Sequence, residues 1–182
     1  KDGIVFGDSR LEFYIFSPID KKIPKILNNN NIKIALLHEP LNYARYDNNE
    51  CISNARFAAS DLTMYDYVLL GDIHLHQFLT DRIAYCGSFV QKTKGEGIHK
   101  GYILWDLDDG VGNFYSIPLK EVYLKISAIN NQCELPIIND NQTVRHLSLF
   151  YKNCSADYIT KLKDDLIIKY KYIHRIVNLD AL

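Results

Sequence analysis

Residues 67–77 read Tyr-Val-Leu-Leu-Gly-Asp-Ile-His-Leu-His-Gln. The first four are apolar and predict a short buried strand that ends at a glycine. One carboxylate and two imidazoles then follow within a few residues, at Asp72, His74 and His76. Three potential metal ligands directly after a strand indicate a functional site at this turn.

A second strand is predicted to contribute to the same site. Residues 32–37 are largely apolar and end in His38. Ligands of layered α/β folds gather beyond the carboxyl ends of strands, so we expect His38 to lie near Asp72 and His74. An Asp-x-His pair on extended backbone points both side chains to one face. Such nitrogen and oxygen donors suit Mn, Fe or Zn better than Ca or Mg alone. The alternatives are a structural role for His38 and a rim position for His76.

Strand patterns dominate the first two thirds of the chain. Alternation and flanking turn residues predict further strands at Gly3–Gly7, Leu11–Phe16, Arg82–Cys86, Gly101–Leu107, Asn113–Ile117 and Glu121–Ile126. Asp108-Asp109-Gly110 predicts a hairpin turn between two of them. Residues 54–64 predict a short helix from the spacing of their apolar side chains.

The last third of the chain has a different pattern. Residues 131–143 are rich in Asn, Gln, Asp and Pro and predict a linker. A β-α-β pattern follows, with strands at His146–Tyr151 and Tyr172–Val177 and a helix capped by Ser155. The apolar residues of that helix recur at helical spacing, at Ile159, Leu162, Leu166 and Tyr170. We therefore expect an α/β protein with one domain at 1–130 and a small one at 144–182.

Composition excludes several classes of protein. The 182 residues are 47% hydrophobic and carry a formal net charge of −1, so any contact with nucleic acid must come from a local patch. No apolar stretch approaches the ~20 residues of a membrane span, and no membrane association is expected. Four cysteines without a CxxC pair predict reduced thiols in a soluble intracellular protein.

Four segments occur in the order in which one protein family has them. They are residues 65–74, residues 83–88 (Ile-Ala-Tyr-Cys-Gly-Ser), Gly95-Glu96, and residues 100–107 (Lys-Gly-Tyr-Ile-Leu-Trp-Asp-Leu). They resemble the distal half of a calcineurin-like metallophosphoesterase of the DNA-repair exonuclease branch, the SbcD and meiotic-recombination nuclease type. The resemblance implies part of a layered β-sandwich core flanked by helices. The closing β-α-β pattern is similar to the small capping domain of that branch.

The resemblance also implies roles for individual residues. His38 matches the metal-binding histidine of a His-Gly motif, although Glu39 replaces the glycine. His74 matches the second histidine of a Gly-His-x-His motif, and Asp72 stands in place of the first, which binds the other metal. The segment Gly87-Ser88 resembles a loop that shapes the site. The alternative for its serine is a turn residue that satisfies its own backbone.

Other parts of the family's site do not precede these segments. The family takes its remaining metal ligands and its catalytic histidine from upstream Asp-x-His, Gly-Asp-x-x-Asp and Gly-Asn-His-Asp motifs, and none occurs ahead of His38. No catalytic residue is therefore assigned in this chain. It is interpreted as the C-terminal part of a longer nuclease and is expected to be inactive alone.

The resemblance implies a substrate, cofactors and partners. These are DNA, two divalent ions (Mn²⁺ first, with Mg²⁺ or Fe²⁺ as alternatives), a coiled-coil ATPase of the SbcC type and a second copy of the full-length nuclease. The cytoplasm is the expected location, or the nucleus in a eukaryote. The candidate DNA-phosphate contacts are Lys161, Lys163, Lys169, Lys171 and Arg175. Their alternative is an ordinary solvated helix face, because Asp164 and Asp165 lie among them.

Two other functions fit the same residues. A non-catalytic DNA-binding or scaffolding module could keep part of a metal site, and the missing upstream motifs would favour it if the chain were complete. A phosphoesterase acting on small molecules or proteins is the third hypothesis. The closing β-α-β pattern disfavours it, because simpler phosphoesterases lack that domain.

Overall fold

The computed structural model describes residues 4–7, 10–17, 19 and 22–181. It is a mixed α/β structure, mostly strands in sheets, with a single α-helix in the described part of the chain. None of the helices within these residues is both long and apolar enough to cross a membrane. The chain divides into two compact units, Lys1–Val90 with His99–Ile117 and Gln91–Ile98 with Pro118–Leu182.

A six-stranded sheet forms most of the first unit. Its strands are β1 (Ile4–Gly7), β2 (Leu11–Ile15), β3 (Ile32–Leu37), β4 (Tyr67–Leu70), β5 (Gln77–Thr80) and β6 (Ile83–Tyr85). They are ordered β1-β2-β3-β4-β6-β5. The four inner strands are parallel, and the two edge strands run antiparallel to their neighbours.

The two central strands are buried on both faces, which explains their apolar sequences. Ile34 and Ala35 are adjacent and so point to opposite faces, yet both are buried. Tyr67 and Val68 repeat this arrangement on β4. Both strands have the bounds that the sequence predicts.

The helix predicted for residues 54–64 is wrong. Only a 3-10 helix at Ala59–Leu62 forms there, within the described residues. The segment before it is tied to the preceding loop instead, since Phe57 bridges to Leu41 and the Asn42 side chain bonds to the backbone of Ala55. These tertiary bonds use the backbone groups that an α-helix would need.

A two-stranded hairpin completes the first unit, as the sequence predicts. Its strands are β7 (Gly101–Asp106) and β8 (Val111–Ser116). Trp105 on β7 packs edge-on against the rings of Tyr67 and Phe78, at centroid distances of 5.4 and 5.8 Å. The hairpin is therefore fixed to the main sheet by aromatic contacts.

The second unit is a four-stranded sheet covered by the helix. Its elements are β9 (Glu121–Ile129), β10 (Gln132–Cys133), β11 (Thr143–Lys152), α1 (Ala156–Tyr170) and β12 (Arg175–Asn178). The sheet order is β10-β9-β11-β12. The predicted β-α-β unit is confirmed: Ser155 caps α1, and its four predicted apolar residues are buried against the sheet.

The observed division of the chain differs from the predicted boundaries. The strand expected to close the first domain, β9, instead runs parallel to β11 from Glu121 to Ile129. It therefore belongs to the second sheet, and residues 131–143, predicted as a linker, contain β10 and lie inside the second unit. Gln91 also belongs there, because its amide accepts from Tyr123 N (2.8 Å) and donates to Tyr123 O (2.9 Å).

Candidate functional site

The ends of β3 and β4 place His38 beside Gly71, the residue before Asp72. The strands are parallel with Leu37 opposite Leu70, and Gly71 N donates to Leu37 O at 2.9 Å. A Cβ atom at Gly71 would lie 2.7 Å from Cδ2 of His38. The His38 imidazole therefore lies directly against the backbone that leads into Asp72.

Asp72 does not have the extended backbone on which the sequence argument depended. Its φ is +84°, in the left-handed region, and residues 71–76 form an irregular turn instead of a strand. The expectation that Asp72 and His74 share one face by alternation is therefore wrong. Asp72 and His38 are exposed, whereas His74 is half-buried. Aspartate tolerates this conformation better than most residues, because its short polar side chain can bond locally.

His76 is held by the hairpin. Its ring stacks on Phe114 with centroids 3.6 Å apart and an interplanar angle of 9°. Its Nδ1 is buried and has no hydrogen-bond partner within the described residues. Burial lowers the pKa of His76, and His99 and Lys100 act in the same direction. His76 is therefore a packed, neutral imidazole and differs from the rim residue that the sequence suggested.

Tyr85 is a buried neighbour that sequence reasoning missed. Its hydroxyl donates to the carbonyl of Glu39 at 2.9 Å. Burial raises the pKa of Tyr85 well above its ordinary value, and the nearby charge of Asp72 adds to the effect. Tyr85 therefore stays protonated beside Asp72. Nothing in the sequence indicates a role for this hydroxyl at the site, because tyrosine is a common residue in short strands.

The segment Gly87-Ser88 supports the turn from the other side. Gly87 has a φ of +77°, and a Cβ there would lie 2.9 Å from His76 N and 3.0 Å from His74 O. The loop can approach the turn this closely only with glycine. The Ser88 hydroxyl donates to Val90 O at 2.9 Å, which agrees with its alternative role as a turn residue.

Two further charged residues lie beside the turn. Lys100 is 1% exposed, and its Nζ donates to the carbonyl oxygen of His74 at 3.1 Å. Asp47 Oδ2 lies 3.9 Å from the same ammonium group. The sequence gives no local sign of this pair, since the two residues belong to separate loops.

The structure brings the three predicted metal ligands together only in part. Across residues 4–7, 10–17, 19 and 22–181, no group of three or more His, Cys, Asp or Glu side chains is arranged to hold a metal ion. The His38 ring lies against Gly71, the residue before Asp72, and the His74 carbonyl accepts from Lys100. Imidazole nitrogens and carboxylate oxygens are donor types that suit a transition-metal ion.

The five predicted DNA contacts do not form one surface. All four lysines among them lie on α1 or at its end, and Lys163 is half-buried. Arg175 pairs in register with Ser148 and lies over the Phe150 ring, which points away from the helix-facing residues Leu147 and Leu149. Lys125 lies over the same ring, at 5.1 Å, and was not predicted. The second unit thus has cations on both sides of its sheet.

Two comparisons with known proteins bear on this arrangement. No protein-family model matches the chain. The chain is 34% identical over 111 residues to an uncharacterized protein of Acanthamoeba polyphaga mimivirus. The match covers 59% of this chain and 8% of that protein, so the chain spans a small part of its relative's length. Together, fold and site define a mixed α/β protein with polar residues gathered at the ends of parallel strands.

Proposed function

We propose that this chain is part of a metal-dependent DNA phosphodiesterase that acts on DNA ends in repair, recombination or replication. The first unit would belong to the layered β-sandwich core of a calcineurin-like metallophosphoesterase, SbcD type, and the second unit would be its capping domain. One observation carries the proposal: His38 lies against Gly71 at the carboxyl ends of adjacent parallel strands, one residue before Asp72.

His38, Asp72 and His74 would hold a divalent ion, Mn²⁺ in the first place and Mg²⁺ or Fe²⁺ as alternatives. When bound, such an ion supplies an activated water and neutralises charge that develops on phosphate. The chain's own residues prepare the site. Tyr85 remains protonated, and its hydroxyl holds the carbonyl of Glu39, directly after His38.

The proposed partners are DNA, an SbcC-type coiled-coil ATPase and a second copy of the nuclease. The cations of the second unit are candidates for contacts to the DNA backbone, which position a duplex without reading its sequence. Arg175 and Lys125 are the more suitable pair, because they flank one ring on the same face of the sheet. The helix lysines are interleaved with Asp164 and Asp165.

The test is degradation of linear DNA by the full-length protein with Mn²⁺. His38→Ala and His74→Ala are each expected to lower the rate more than about 100-fold, because loss of even an outer-sphere partner of a metal costs 10–100-fold. The matched control is His99→Ala, an exposed histidine of the same unit. Unchanged rates in both site variants would refute the proposed ligands.

A non-catalytic DNA-binding or scaffolding module is the second candidate. The observation that favours it is that no group of three or more metal-ligand side chains forms within the described residues. This candidate predicts DNA binding that persists without Mn²⁺ and without cleavage. Metal-dependent cleavage that is lost in His74→Ala would exclude it.

A further inference from the structure

Lys100 holds a buried charge for which the proposed chemistry has no use. Lysine is almost never fully buried unless it is paired, since an ammonium group loses its hydration there. Only 1% of Lys100 is exposed, and the Asp47 side chain, 3.9 Å from its Nζ, is 13% exposed. The ammonium group is therefore neutralised by a carboxylate that is itself mostly shielded from water.

Lys100 connects three separate segments. Its ammonium group donates to the carbonyl of His74 in the turn and lies beside Asp47 in the loop that follows β3. The backbone carbonyl of Lys100 accepts from Ile117 N at 2.7 Å, next to the hairpin of β7 and β8. The loop is fixed in turn, because the Gln77 amide accepts from Arg45 N (2.9 Å) and donates to Arg45 O (2.8 Å).

The turn needs such an external attachment. Residues 71–76 lie beyond the end of β4, and Asp72 has a left-handed backbone, which aspartate adopts more readily than most residues but which is still less favourable than extended or right-handed backbone. A charge-assisted hydrogen bond to His74 O is stronger than one between neutral groups. It acts on the backbone of His74, between Asp72 and His76.

We propose that Lys100 is a positioning residue: its ammonium group, paired with Asp47, holds the 71–76 turn in the conformation that presents Asp72 and His74. The effect of Lys100 on catalysis rests on the proposed function. Its effect on the conformation of the 71–76 turn is independent of that function.

Hydrogen–deuterium exchange of the full chain tests the structural part without metal or DNA. Lys100→Met keeps most of the length of the side chain and removes its charge and its hydrogen-bond donors. We expect exchange in the 71–76 turn to rise about tenfold or more, as for the loss of a buried charged hydrogen bond. Asp47→Asn should raise exchange in the same peptides, and the double variant should show less than the summed effect. Lys25→Met, at an exposed lysine of the same unit, is the control.

Cleavage by the full-length protein tests the functional part. Lys100→Met should lower kcat with little change in KM for DNA, and Lys100→Arg should recover part of the rate. Asp47→Asn keeps the lysine and decides the question if Lys100→Met does not fold. Unchanged exchange in the turn of Lys100→Met and Asp47→Asn would overturn the proposal, as would raised exchange with full activity. If the wild-type protein does not cleave DNA, the proposed function fails while exchange still decides the role of Lys100.

Discussion

Gly87→Ala tests how strongly the 71–76 turn depends on the loop beside it. Alanine pays about 1–2 kcal/mol for the left-handed backbone that Gly87 adopts. Its Cβ would also lie 2.9 Å from His76 N and 3.0 Å from His74 O. These are backbone atoms, which cannot rotate away as a side chain can. We therefore expect the first unit to lose about 2 kcal/mol or more of unfolding free energy.

Trp105 provides the assay. It is the only tryptophan of the chain and packs on Tyr67 and Phe78 in the first unit, so its fluorescence in urea reports the unfolding of that unit. A loss of about 2 kcal/mol should lower the urea midpoint by about 1 M, since m for small proteins is about 1–3 kcal/mol/M.

Two variants separate the causes of this loss. Gly87→Asn keeps the steric contact but tolerates the left-handed backbone better, and it should unfold between wild type and Gly87→Ala. Gly110→Ala, also in the first unit, has the same left-handed backbone (φ +72°) but meets no atom closer than 3.5 Å, so it should lose only the backbone part of about 1–2 kcal/mol. A wild-type midpoint for Gly87→Ala would refute the close approach of the loop to the turn.

Three further predictions concern the second unit, whose helix is followed by circular dichroism during unfolding. Ser155→Ala removes the hydroxyl that accepts from Tyr158 N and should lower the unfolding free energy by about 1 kcal/mol. Ser155→Asp should keep the cap, and an equal loss of stability in both variants would contradict this role. Leu166→Ala deletes a fully buried side chain and should cost about 2–5 kcal/mol, unlike Ile168→Ala at an 81% exposed position. Burial lowers the pKa of His146 from its ordinary value of 6.5, and the charges of Lys94, His174 and Arg175 add to the effect. The unfolded chain therefore binds this proton more readily than the folded chain, and the unfolding free energy should fall as the pH drops through 6.5. His146→Gln should weaken that dependence, and an unaltered pH profile would contradict the assignment.

Strands buried on both faces could be predicted well from the sequence. Ile32–Leu37 and Tyr67–Leu70 must be apolar along their whole length, so their composition marks both ends. The edge strand Gln77–Thr80 was missed, because a short, half-exposed strand needs no apolar run. Helix α1 was predicted correctly because its cap and its apolar spacing agree.

The candidate site was predictable only in part. That His38 and Asp72 each follow a buried strand could be predicted from the apolar runs before them, and the structure shows that these two strands are neighbours. The left-handed backbone of Asp72 and the burial of Lys100 do not follow, because distant segments impose them. The parallel pairing of β9 with β11 was missed for the same reason: a strand pattern does not identify its partner strand.

The hydrogen bonds between Gln91 and Tyr123 have a consequence for cutting the protein into parts. The short β10 pairs with β9 only at Ala128 and Ile129. Further along β9, the Gln91 side-chain amide hydrogen-bonds to both backbone groups of Tyr123. A fragment that starts at Pro118 would lose this cover and expose unpaired backbone groups along the edge of the sheet. Such edges pair with other chains, so we expect that fragment to self-associate more than the whole chain does.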